Sequence, residues 1–188
     1  MTLLLPQEMK FVHSFVVRFL ESLGLKPDPN NGFNSPQHIA NLFAFADTDG
    51  YIVDGLGSLE MTATKIAMND INVEGQPIVV EERDGIAIID GSNLLGVTVG
   101  NYCASKAREL ARIYGIGFVV ARNANSIGPG QFYARQMVEH GMEVSKELFL
   151  HNIIFLNNLE ISFYSYIIFP ESLKMNLNMS VILNLIYI

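Results

Sequence analysis

The chain has 188 residues, 49% of them hydrophobic, enough for one domain or one and a fraction with a real core. A net charge of −7 without a basic cluster excludes nucleic acid as a ligand, because phosphate backbones demand dense Lys and Arg. One cysteine leaves no internal disulfide framework and points to a reducing compartment.

The opening segment, MTLLLPQEMK, lacks a basic start, and Glu8 interrupts it before a leader-length apolar run develops. The expected location is therefore cytoplasmic. Phe11 to Leu23 reads as an amphipathic helix, with Val12, Phe15, Val16, Phe19, Leu20 and Leu23 on one side, ended by Gly24. The proline- and asparagine-rich stretch Lys26 to Gly32 is a loop. Ser35-Pro36 then supplies an N-cap and a first-turn proline for a second helix, whose apolar stripe is Ile39, Leu42, Phe43 and Ala46. His38, in its first turn, is expected at the solvated surface.

Asp47 to Gly57 holds three aspartates and invites a metal reading. A calcium loop needs oxygen ligands at alternate positions and a terminal glutamate, and Tyr51, Ile52 and Val53 break that pattern after Gly50. No metal site is expected. The segment reads as a turn, a short strand and a loop before a helix over Leu59 to Ala67.

The densest signal comes next. Ile86 to Ile89 is a short apolar run stopped by Asp90-Gly91, the pattern of a strand buried on both faces. From about Val97 to Tyr114 the residues Val99, Cys103, Ala107, Leu110 and Tyr114 recur at helical steps, and Gly115 suits a left-handed C-cap. Ile116 to Ala121 makes a second strand, leaving through Arg122-Asn123-Ala124-Asn125-Ser126. A further helix runs from about Gln131 to His140, with His140 at its C-terminal end, where the helix dipole favours it. Strand, helix, strand with one crossover is a βαβ unit, and ligand sites in such sheets gather at the carboxyl ends of the strands. Chemistry is therefore expected around Asn123 to Gly130. Cys103, on the apolar side of its helix, reads as a core residue. Arg122 and Tyr133 read as surface or structural groups. Gly91 to Gly96 has the opening spacing of a phosphate loop, but Val97-Thr98 lacks its lysine.

The run IIDGSNLLGVTVGNYCASKARELARIYGIGFVVARNANSIG, followed by QFYARQMVEHGM, resembles the malate/L-lactate dehydrogenase family of NAD(P)-dependent 2-hydroxyacid oxidoreductases. The combination of an IDG turn, a glycine-spaced helix start, a GIG strand entry and an N-x-N-x-x-G loop carries the resemblance, which spans roughly Phe11 to Met142. It implies hydride transfer between NAD or NADP and a 2-oxo or 2-hydroxy acid, a predominantly antiparallel nucleotide-binding sheet, and a homodimer. Asn125 and Gly128 are the positions it leaves for cofactor contact.

At the catalytic positions this chain departs from the pattern. Val53, Asp54 and Ser58 stand where the family has serine, histidine and arginine, and Ser126 stands where it has the histidine that exchanges the proton. Valine offers no hydrogen bond, aspartate would repel an anionic acid, and serine cannot clamp a carboxylate in a bidentate pair. A hydroxyl at Ser126 does not titrate near neutrality. No catalytic group of the family is intact, so activity is expected to be impaired. The alternative is an inactive relative that binds or dimerises, with itself or with a paralogue, or a product without function.

After Met142 the composition shifts. All 15 glycines lie at or before Gly141, and Asn, Ile, Leu, Phe and Tyr dominate the remaining residues. These residues have codons rich in A and T, so the tail reads as translated non-coding sequence and the chain as truncated. Polar residues such as Asn157, Glu160 and Lys174 break every membrane-length window, while Ile161 to Phe169 has the content of a strand. The expected class is α/β: an N-terminal helical region over 1–84, a partial nucleotide-binding region with the βαβ unit in a mixed sheet over 85–142, and an aberrant tail over 143–188.

Overall fold

A computed structural model describes residues 6–26, 33, 35–144, 152–156 and 159–170. Two helices come first: α1 (Pro6–Ser22) and α2 (Pro36–Asp49). The α2 start is set by its sequence, since Ser35 accepts the Gln37 backbone N–H and Pro36 sits where no N–H is needed. α3 (Leu59–Ala67) comes after a 3-10 turn at Leu56–Ser58. Next are β1 (Ile78–Arg83), β2 (Ile86–Asp90), α4 (Gly96–Tyr114), β3 (Gly117–Arg122) and α5 (Gly130–Glu139). Short β4 (Met142–Val144), β5 (Asn152–Leu156) and β6 (Leu159–Pro170) complete the described elements.

The sheet is mixed, in the order β1-β2-β3-β6-β4, with β5 paired to β6. β1 and β2 form an antiparallel hairpin, and β2 and β3 run parallel from Ile86 opposite Phe118 to Asp90 opposite Arg122. The α/β class and the βαβ unit are thus both present. β6 lies antiparallel to β3, with Tyr166 opposite Val119.

Two cores divide the molecule. One is the sheet core, where Ala87, Ile89, Val119 and Ala121 meet Val99, Cys103, Ala107 and Leu110 of α4 and Tyr133 and Met137 of α5. The other is helical: Val16 and Leu20 of α1 pack with Ile39, Leu42 and Phe43 of α2, Leu59 and Ile66 of α3, and Leu95 and Val97 at the start of α4. The beginning of α4 therefore belongs to the helical core although its chain neighbours belong to the sheet. Helix α4 and Phe132 tie the two together.

Several expectations change in the fold. The β1 strand is not signalled by the residues, because Ile78–Arg83 is largely exposed and carries no apolar alternation. β2 is not buried on both faces: Ala87 and Ile89 are fully buried, while Ile86 and Ile88 are only partly covered. Tyr114, placed in the α4 stripe, is 50% exposed because the last turn overruns the sheet. The strand expected within Asp47 to Gly57 is replaced by turns and the 3-10 turn, because both carboxylate oxygens of Asp47 accept the Leu56 N–H, at 3.2 and 3.1 Å, and curl the chain back. Among the described residues no helix is long and apolar enough to cross a membrane.

Candidate functional site

The parallel pair β2 and β3 ends at Asp90 and Arg122, and the two loops leaving these strands are laced together. The Gly91 N–H donates to the Arg122 carbonyl at 2.8 Å and the Asn93 N–H to the Asn123 carbonyl at 2.9 Å. The Asn125 amide donates to the Leu94 carbonyl at 3.0 Å and to Asn93 Oδ1 at 3.2 Å. Asn93 in turn donates to the Asp70 carbonyl at 2.7 Å, and Asn72 donates to the Ser92 carbonyl at 2.7 Å. Ser92, Asn93 and Asn123 all have positive φ, a left-handed backbone that asparagine tolerates better than most residues. Three such residues at one sheet edge mark where local geometry is held by side-chain bonds rather than by propensity.

Asp90 is the anchor of this edge. Its Oδ1 accepts the Ser92 N–H at 2.8 Å and an Asn123 amide proton at 3.1 Å, while Arg122 Nε stands 3.5 Å from Oδ2. The Ser92 N–H first, then Asn123 and Arg122, hold the carboxyl below its ordinary range against the opposing effect of partial burial. A carboxylate so depressed is ionised at neutrality and is a poor base. Because the folded value lies below the unfolded one, Asp90 stabilises the fold above the unfolded value, and this stabilisation is lost as pH falls through the folded value. Acid titrations of unfolding should therefore show D90N losing stability at neutral pH and a shallower decline below about pH 4 than the parent chain. Parallel acid limbs would refute this role.

Across the edge, Gly96 opens α4. A Cβ at this position would lie 1.8 Å from the Ser126 carbonyl oxygen, so the Asn125–Ser126 backbone passes directly over the first turn of the helix. Pro129 starts α5, and Gly128 before it adopts a left-handed turn against Leu42 of α2. Tyr133 is fully buried, and its hydroxyl donates to the Ile127 carbonyl at 2.6 Å, clamping the same loop from below.

The sequence-derived positions divide in two. Asn125, Ser126 and Gly128 are all on the loop at the carboxyl edge; Asn125 is spent on tying β2 to β3, and Ser126 is exposed. Val53, Asp54 and Ser58 lie on the turn before α3. Val53 is 82% exposed, and the Ser58 hydroxyl donates to the Gly55 carbonyl at 2.8 Å. Leu56 and Leu59 of this turn share a core with Leu95 and Val97, which brings the turn toward the α4 start. Among the described residues, no hydrogen bond or ion pair joins Val53, Asp54 or Ser58 to Asn125 or Ser126. Asp47, which raised the metal question, caps the 3-10 turn, and among the described residues no group of three or more His, Cys, Asp or Glu is arranged to hold a metal.

The described histidines stand elsewhere. His13 bonds Asn41 at 2.9 Å, and His140 bonds the Gln136 carbonyl at 2.7 Å at the C-terminal end of α5. His38, expected at the surface, is half-buried, with Nδ1 3.0 Å from the Phe33 carbonyl. Cys103 is buried among core residues, and burial pushes its thiol far up, as an inert core cysteine requires. Residue reading passed over Asp90 and Asn93, although Asp90-Gly91-Ser92-Asn93 is an Asx-turn pattern that could have flagged both.

A nicotinamide dinucleotide, as the resemblance implies, requires donors for its diphosphate. A helix N-terminus is the usual source, and here the first turn of α4 is closed by the Ser126 carbonyl, while Arg122 is taken up by Asp90. The described residues do not by themselves fit that group.

Comparison with known proteins agrees with the architecture. A model of the malate/L-lactate dehydrogenase family matches residues 8–145. A malate dehydrogenase of Pyrococcus horikoshii is 31% identical over 137 residues, which are 73% of this chain and 36% of that protein. An L-sulfolactate dehydrogenase of Methanocaldococcus jannaschii is 31% identical over 103 residues, 55% of this chain and 30% of the relative. The solved P. horikoshii enzyme superposes with a TM-score of 0.66 at 30% identity, over 71% of this chain and 37% of its own. The M. jannaschii structure gives 0.65 at 25% identity, with coverages of 71% and 37%. The matched part of the chain thus spans 30–37% of the length of these relatives.

Proposed function

This chain belongs to the malate/L-lactate dehydrogenase family, and on that premise we propose that it keeps the scaffold of an NAD(P)-dependent 2-hydroxyacid oxidoreductase while hydride transfer is impaired in it. The observation that carries the reading is the carboxyl edge, where Ser126 is exposed on the loop after β3 and Asp90, at the end of β2, has its proton affinity lowered by three donors. Neither group takes or gives a proton near neutral pH. The anion-clamping position is equally unsuited, since the Ser58 hydroxyl is turned onto its own backbone. A neutral short hydroxyl there replaces a fixed cation, which removes the charge-assisted pair that would orient a carboxylate.

The reading implies a cytoplasmic protein whose remaining role is association, as a homodimer or with an active paralogue. Phe11 and Phe15 on the outer side of α1 are exposed, 70% and 45% respectively, and offer apolar surface for it. The test is turnover of oxaloacetate and pyruvate with NADH and with NADPH, for the chain and for the triple variant D54H/S58R/S126H. The parent should be close to the uncatalysed rate. The variant should stay close to it too, because restoring the acid/base and the clamp supplies no donors for the cofactor's diphosphate. Turnover by the parent chain well above the uncatalysed rate would sink the proposal.

A further inference from the structure

We propose that a second site lies away from the sheet edge, in the cleft enclosed by α2, α4 and α5, and that it takes a small organic monocarboxylate with an apolar body. Helix α4 contributes Asn101, Ser105 and Arg108, one stripe at helical spacing that lies off the sheet-facing stripe of Cys103, Ala107 and Leu110. The cavity is about 590 Å³, within the ordinary range for a small-molecule pocket.

Asn101 is the first observation. It is only 7% exposed, and its Oδ1 accepts a long bond from Gln136 at 3.4 Å. Its amide protons have no acceptor among the described residues. Burying a donor without a partner is costly, so an acceptor belonging to a ligand is the natural complement.

The guanidiniums are the second. Arg108 makes a marginal 3.5 Å contact with Ser105, and neither it nor Arg135 on α5 has a carboxylate partner among the described residues. Two such forks and a buried amide around one space recognise a carboxylate, the anion whose planar geometry suits them. Phe45 and Phe132 form an edge-to-face pair, centroids 5.5 Å apart, that supplies an apolar wall for the rest of the molecule. Glu139 also lines the cleft and disfavours a multiply charged ligand such as a diphosphate.

The test is a titration of the ¹⁵N-labelled full chain with benzoate, with benzamide as its neutral isostere. The Asn101 side-chain amide and Arg108 Nε–H signals should shift saturably, with benzoate bound about tenfold more tightly than benzamide, as expected for charge-assisted bonds. R108Q/R135Q should weaken benzoate about tenfold without moving the unfolding midpoint. R135Q, on an exposed side chain, carries the test alone if the double variant does not fold, with an expected loss of about fivefold. Benzamide binding as well as benzoate would overturn the site, as would no saturation by about 10 mM, the range of the weakest specific binding. So would affinity that falls as protein concentration rises, since a second copy would then be filling the cleft. None of these outcomes depends on dehydrogenase turnover.

Discussion

Alanine at Gly117 is expected to destabilise the fold by about 3 kcal/mol, the range for forcing volume into a packed core. The added Cβ would lie 1.9 Å from the Ala107 carbonyl oxygen and 2.7 Å from its carbon, so no side-chain rotation relieves the clash. Either β3 must move off α4 or the helix must bend. Each disrupts the packing of Val119 and Ala121 on Ala107 and Leu110. Gly96→Ala should cost a similar amount, with a different local effect: it lifts the Asn125–Ser126 backbone off the helix start. Gly57→Ala is the control, since its nearest neighbour would be at 3.4 Å, an ordinary contact. Urea unfolding of the three variants checks the prediction. Equal stability of G117A and G57A would show that α4 and β3 are not in the described contact.

Removal of the Tyr133 ring is the other change of large effect. The ring is fully buried, meets Phe132 edge-to-face at 5.1 Å and lies against Gly100, where a Cβ would come within 2.5 Å of it. Tyr133→Ala should cost about 3–5 kcal/mol through the cavity it leaves in a core that cannot collapse around the helices. Tyr133→Phe keeps the packing and deletes the bond to the Ile127 carbonyl, which should cost about 1 kcal/mol. The two variants separate packing from loop clamping. Thermal unfolding reports the first, and amide exchange at Ser126 and Gly128 reports the second, with faster exchange expected in both. A phenylalanine variant as damaging as alanine would place the stability in the hydrogen bond instead.

Much of the fold is legible in the residues because it is local. The α2 stripe and its Ser35-Pro36 start, the α3 boundaries and the Gly115 cap each arise from a spacing or a capping preference within a few residues, and each is found in the structure. The βαβ unit is legible too, since apolar runs of strand length flank a helix of crossover length. The features that escape are set by partners distant in the chain. β1 is exposed on most of its length and exists because β2 offers it a ladder. The turn before α3 departs from the expected strand because Asp47, nine residues earlier, captures Leu56. The strand content of Ile161 to Phe169 is legible in the residues, whereas the place of β6 beside β3 is not, because its ladder partner is distant in the chain.

For the site, the residue types by themselves give serine at 126 and 58, valine at 53 and aspartate at 54, the positions that the family resemblance aligns with its acid/base and anion clamp, and they put the densest resemblance at the loop after β3. Chemistry of a side chain needs no coordinates to be absent. The tertiary structure alone decided that Asn125 is consumed in lacing two strand ends, that Asp90 anchors the edge, and that Asn101, Arg108 and Arg135 converge on a separate cleft. Convergence of this kind depends on how three helices pack, and helices pack through apolar stripes that say nothing about which polar residues the packing brings together.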